Sequence, residues 1–219
     1  MDFSTVRWEE VGKASIETLQ ILGASGLFTV IFGLPLGVLL FMTARSASTK
    51  SRVVYIILSL IVNILRSIPF IILIVAIIPF TRSLVGTATG VLGVIPPLVI
   101  SAAPYFARLV ETTMREVDRG VIEAAQSMGA STGQIVRRVL LPEALPGLLA
   151  GITITIVTLV SYTAMAGMVG GGGLGTLAIN YGYYRYQNEI MIISVVFMVI
   201  LVQILQMAGD RLVTFFTRK

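Results

Sequence analysis

The chain has 219 residues, of which 56% are hydrophobic and 12% charged, with a net charge of +5; its mean hydropathy is +0.93. Soluble domains carry roughly 25% charged residues, so this is the composition of an integral membrane protein, and the positive balance reads as cytoplasmic loops rather than a nucleic-acid surface. Cysteine and histidine are both absent, which excludes disulfides, thiol nucleophiles, histidine metal ligands and histidine acid–base catalysis.

The opening stretch MDFSTVRWEEVGKASIE is polar and acidic, the wrong flank for a secretory signal, so the first span is expected to be retained. A helix needs about 20 residues to cross the hydrocarbon, and five candidate spans follow: 18–44, 53–80, 84–110, 148–169 and 190–216. The second is interrupted by Arg66 and Pro69. The third contains Pro96, Pro97 and Pro104, enough to divide it into half-helices, and the sequence alone leaves its continuity open. Such breaks survive only where protein or a wet cavity covers the freed backbone groups. Lys and Arg concentrate after the first span (Arg45, Lys50, Arg52), between the third and fourth (Arg115, Arg119, Arg137, Arg138) and at the end (Arg218, Lys219). That bias sets these segments in the cytoplasm. The expected fold is therefore one all-α integral membrane domain over residues 1–219, of five transmembrane helices, N-terminus outside and C-terminus cytoplasmic, with a cytoplasmic hairpin at about 118–147.

That hairpin lies in IEAAQSMGASTGQIVRRVLLPEALPG, residues 122–147. Asp118 is placed to cap a helix running to Met128, and Glu123 lies in its early turns, where negative charge is favoured. Val121, Ile122, Ala125 and Met128 fall at i, i+1, i+4 and i+7, one apolar stripe. Gly129 suits the stop, since glycine takes φ > 0 without a Cβ penalty. Ser131 and Gln134 form an S-x-x-Q capping box that opens a second helix, with Ile135, Val136, Val139 and Leu140 as its stripe. Pro142 and Pro146 are expected to end that helix and return the chain to the fourth span. Helices this short are not stable alone in water, so each must pack on something. The protein's own cytoplasmic surface or the lipid interface would serve; so would the groove of a partner, where Val121, Ile122 and Met128 would be buried.

Elsewhere, GGGGLG at 170–175 matches G-x-G-x-x-G, but it follows a membrane span rather than a strand, which argues against a dinucleotide site. It reads as a flexible turn or an adaptable outer loop. No G-x-x-x-x-G-K-[ST] occurs, so the chain has no P-loop for ATP. Arg66 stands in an apolar run, where it either lines a pathway or holds the break at Pro69. Tyr162, Met165 and Met168 lie among small residues in SYTAMAGMVG, a packing face or a pathway wall with Met165 as an adaptable apolar gate. INYGYYRYQNE, 179–189, reads as an aromatic belt at the outer interface. Glu111, Glu116, Asp118, Glu123 and Glu143 are expected to cluster on the cytoplasmic side. With no histidine and no evident intramembrane acid, a proton-coupled carrier is poorly supported; sodium coupling through backbone carbonyls, or a channel, is the remaining alternative.

The stretch Glu123-Ala124-Ala125, three residues, Gly129, nine residues, Val139, one residue, Leu141-Pro142 resembles the EAA loop of permease subunits in ATP-binding-cassette importers, with Val139 where that family usually has Ile. NILRSIPFIILIVAIIPFTR, LLPEALPGLLAGITI, MVGGGGLG, YGYYRY and MAGDRLV extend the resemblance over nearly the whole chain, toward methionine-import permeases. The resemblance implies a type I importer fold and a homodimer of five-span subunits. It implies two separate ATPase subunits that hold ATP and Mg, with no cofactor in this chain, and an extracytoplasmic methionine-binding protein. It makes Glu123, Ala124, Ala125, Gly129, Leu141 and Pro142 the ATPase contact, with Met128 beside them. For span four it favours a pathway at the subunit interface.

Overall fold

The computed structural model describes residues 6–45 and 48–217, all helix, turn or short connection, without a strand among them. Thus Arg218 and Lys219, which entered the orientation argument, lie outside the described residues, as do the first five residues of the opening stretch. The elements in chain order are α1 (Trp8–Arg45), α2 (Thr49–Ser67), α3 (Phe70–Ala76), α4 (Ile78–Val85), α5 (Gly90–Glu116), α6 (Arg119–Ser127), α7 (Thr132–Ile135), α8 (Leu141–Glu143), α9 (Leu145–Ala166), α10 (Gly173–Leu177) and α11 (Asn188–Thr217). π-Helical turns join α7 to α8 and follow α10, and a 3₁₀ turn follows α9.

Four helices, α1, α5, α9 with its 3₁₀ turn, and α11, are long and apolar enough to cross a membrane, and a fifth span exists if the bent pair α2 and α3 is taken together. The bend is 101°. Ile68 and Pro69 are extended at the break, as expected for a proline and the residue before it. The second span, expected at 53–80 with an interruption at Arg66 and Pro69, is thus a helix, a sharp turn at Ile68–Pro69 and two short helices. The third span starts later than expected: Leu84 belongs to α4, and α5 begins at Gly90. It is one continuous helix in spite of its three prolines, all buried. Its most apolar window is 67% buried, against 17% in α11. The three prolines of α5 lie under the cover of its neighbours, whereas the single proline inside α1, Pro35, is exposed.

α1 and α5 form the spine. A Cβ on Gly33 would stand 2.8 Å from the Phe106 ring and 2.9 Å from the Ala103 carbonyl, and one on Gly37 would overlap Val110 and the Ala107 carbonyl. This Gly-x-x-x-Gly edge lets the two backbones approach, as small residues do between membrane helices. Three clusters are strung along the spine. At one end Phe41, Phe106, Val110 and Met114 meet Ile122, Ala125, Ile135 and Leu140 of the hairpin. In the middle Leu22, Phe70, Val94, Leu98 and Leu159 pack together. At the far end Val11, Ala14, Leu174, Leu177, Ile190 and Ile193 close the bundle.

Candidate functional site

The hairpin forms as its caps dictate. The Asp118 carboxylate accepts the Gly120 N–H at 2.6 Å and opens α6. Gly129 sits at φ +79°, the left-handed turn that glycine supplies without penalty. Ser131 and Gln134 close the reciprocal capping box at the start of α7. Only the exit differs from expectation. Pro142 and Pro146 each lie in the first turn of a following helix, α8 and α9, where the missing N–H costs no hydrogen bond. The chain therefore stays helical from Thr132 to Glu143. The wider π turn Val136–Leu140, in which the Leu141 N–H reaches the Val136 carbonyl, sits just ahead of Pro142, whose ring would clash with a regular preceding turn.

The α6 stripe divides. Ile122 and Ala125 are buried against α5 and against Ile135 and Leu140 of the second arm. Val121 stays 42% exposed and Met128 82% exposed. Glu123, Ala124, Ser127 and Gly129 are exposed too, with Pro142 on the second arm, and Leu141 is partly buried. One arc of the hairpin thus packs on the protein's own core, and another, tipped by a large apolar side chain, is left open. A cleft of about 490 Å³ opens between the last turns of α1 and the hairpin, lined by Phe41, Met42, Arg45, Ile122, Gln126 and Ile135 among others.

A second region lies where α9 meets the α2–α3 break. Phe70, first residue after the break, stacks on Tyr162 with ring centroids 4.6 Å apart and planes 4° from parallel. Met165 and Met168 follow along α9, 46% and 57% exposed. Arg66 is exposed at the end of α2, its guanidinium 6.0 Å from the Tyr105 ring; no ion pair to it occurs among the described residues. The structure brings Tyr162, Met165 and Met168 to one end of α9 and sets Arg66 just before the break that delivers Phe70 to Tyr162.

The glycine run is tied to three neighbouring helices. The Gly173 N–H donates to the Glu17 carboxylate at 2.8 Å and the Leu174 N–H to Thr18 Oγ1 at 2.9 Å. The Gly170 carbonyl accepts from the Gly90 N–H at 2.8 Å. A Cβ on Gly175 would stand 2.7 Å from the Ala164 Cα. Gly171, Gly173 and Gly175 leave no room for a side chain, since a Cβ would stand 2.6, 2.6 and 2.7 Å from its nearest neighbour where α1, α5 and α9 converge. In the aromatic stretch, Tyr183, Tyr184 and Tyr186 are well exposed, whereas Tyr181 is held between the guanidinium groups of Arg7 and Arg185.

Glu111 also departs from expectation. It does not lie with the loop acids: it is inside α5 and only 1% exposed. Its carboxylate accepts from Arg108 at 2.6 Å and Arg115 at 2.5 Å. The R-x-x-E-x-x-x-R spacing of this cluster is visible in the sequence, since i,i+3 and i,i+4 residues share a helix face; its partners on α2 are not.

A long spine, a broken span and a two-helix hairpin between apolar helices make this an all-helical membrane domain, and its relatives say of which family. The family described as binding-protein-dependent transport system inner membrane component matches residues 33–219, and the chain belongs to it. It is 48% identical to the probable D-methionine transport system permease protein MetI of Vibrio cholerae, over 97% of each chain. It is 44% identical to the methionine import system permease protein MetP of Bacillus subtilis, over 95% of this chain and 94% of the other. Among solved structures, a chain of the MetNI methionine ABC transporter in inward-facing conformation superposes with a TM-score of 0.92 at 49% identity, covering 99% of both chains.

Proposed function

We propose that this chain is the permease subunit of an ATP-driven methionine importer, that α6 to α8 dock on a separate ATP-binding subunit in the cytoplasm, and that two copies of the chain enclose the pathway. The observation that carries the docking role is the divided stripe: Met128 is 82% exposed at the tip of a hairpin otherwise fixed by its own caps and core. A groove that takes Met128 and Val121 gains up to ~1.5–3 kcal/mol for each fully buried side chain, against the several kcal/mol that association costs; two hairpins in a homodimer share that load. Glu123, Ala124, Ala125, Gly129, Leu141 and Pro142 belong to the same element, Ala125 from its inner side. ATP and Mg²⁺ belong to the ATPase, as the lack of a P-loop here supports. The charge bias sets the hairpin inside and the glycine turn outside, where a methionine-binding protein would deliver its load. Met165 and Met168, flexible and exposed beside Tyr162 and Phe70, serve as the apolar gate, and Arg66 braces the break behind it. Relatives and structural neighbour alike carry methionine in their names. The test is co-purification: M128D should reduce recovery of the ATPase with the permease about tenfold or more, a loss of about 1.4 kcal/mol. Undiminished recovery would remove the hairpin from the interface.

A further inference from the structure

α2 is attached to the bundle by little apolar surface. Of its 19 residues only Val62 is fully buried, in a small cluster with Leu40 and Ala107. A polar clamp does the rest. Arg108 donates to Glu111 and, across to α2, to Ser59 Oγ at 2.9 Å and Asn63 Oδ1 at 3.0 Å. Arg115 donates to Glu111 and to the Tyr55 hydroxyl, which itself donates to Glu111 at 3.3 Å. One buried carboxylate therefore aims two guanidinium groups at three successive turns of α2. Glu111 is the buried member, while Arg108 and Arg115 are 21% and 50% exposed, so removing either guanidinium leaves the carboxylate buried and less fully matched.

The clamp lies between the hairpin and the α2–α3 break. Seven residues beyond Glu111, Asp118 caps α6, and Val117, Ile122 and Ala125 share the core cluster of Val110 and Met114, so α5 and the hairpin are packed as one body. At its other end α2 stops at the 101° break, beyond which Phe70 rests on Tyr162. We infer that Glu111 is a positioning residue that makes α2 and α5 one rigid lever, hinged at Ile68–Pro69, through which displacement of the hairpin reaches the Phe70–Tyr162 contact. The lever rests on the reading that the hairpin meets the ATPase. It adds that α2 is driven through the clamp and not through the membrane or the apolar core.

The absence of native cysteine makes the test direct. Spin-label pairs at I57C/T112C, across the clamp, and I57C/I72C, across the break, are placed in the complete permease–ATPase complex in lipid vesicles. Distances are measured with and without a non-hydrolysable ATP analogue. The expected result is an unchanged α2–α5 distance with a changed α2–α3 distance. A nucleotide-dependent α2–α5 distance, or no change in either pair, overturns the lever. E111Q should then broaden the α2–α5 distribution and lower methionine uptake per ATP hydrolysed by about tenfold, within the range usual for coupling between sites. Wild-type coupling in E111Q also overturns it. If E111Q does not assemble, the label pairs in the otherwise unaltered chain still decide. The premise fails separately: an M128D complex that keeps its ATPase contradicts the hairpin's role, whereas a moving α2–α5 distance contradicts only the lever.

Discussion

The two ends of the α1–α5 spine are built on opposite plans. At the glycine end, backbone meets backbone: Gly173 and Leu174 are tied to Glu17 and Thr18 of α1, Gly170 to Gly90, and Gly175 lies against Ala164. At the hairpin end, short helices rest on one buried arc, leave another open and border a cleft of about 490 Å³, against about 200 Å³ beside Gly173. Backbones held in close contact are stiff and transmit strain. Short elements with few buried contacts open and shift at low cost. The glycine end is held by close backbone contacts, and the hairpin end keeps one arc open. A glycine-rich run in a membrane chain is thus not in itself a sign of mobility.

The comparison breaks most visibly at Gly175. G175V drives side-chain atoms into the α9 backbone, and overpacking of this kind should cost about 3 kcal/mol or more. Thermal unfolding in detergent should show a large loss of stability; tolerance of valine would mean the glycine end is looser than its contacts. G129V acts at the other end and should do something different. A β-branched residue at φ +79° costs roughly 1–2 kcal/mol, borne by the turn alone, so the bundle should stay folded while ATPase recovery falls. Full docking and coupling in G129V would show that the turn is not needed in this form. R66A is the smallest. Its contact with Tyr105 is worth ~0.5–1 kcal/mol at an exposed position, and it should lower the yield of assembled complex more than uptake per assembled complex. Normal assembly with lost uptake would move Arg66 from brace to pathway.

What the sequence disclosed follows the range of the interactions. Asp118, Gly129 and the Ser131–Gln134 pair act within four residues, and each does in the structure what its spacing predicts. Periodicity located the α6 stripe but not which arc of it is covered, because that depends on α5, Ile135 and Leu140. The prolines at 142 and 146 misled because proline is as much at home in a first turn as after a last one. The glycine run left packing and flexibility unresolved, because close approach and flexibility select the same residue. The Phe70–Tyr162 stack and the link from Arg108 to Ser59 and Asn63 join residues 45 or more positions apart, beyond any local pattern. The Arg108–Glu111–Arg115 spacing was local and legible.

We propose that this chain moves methionine only when a second protein, docked on its hairpin, hydrolyses ATP. Purified permease, with and without its ATPase subunit, is reconstituted into vesicles supplied with the methionine-binding protein, and uptake of labelled methionine is followed. Uptake that needs both the ATPase subunit and ATP is the predicted result. Uptake by the permease alone, driven by an ion gradient, would contradict it.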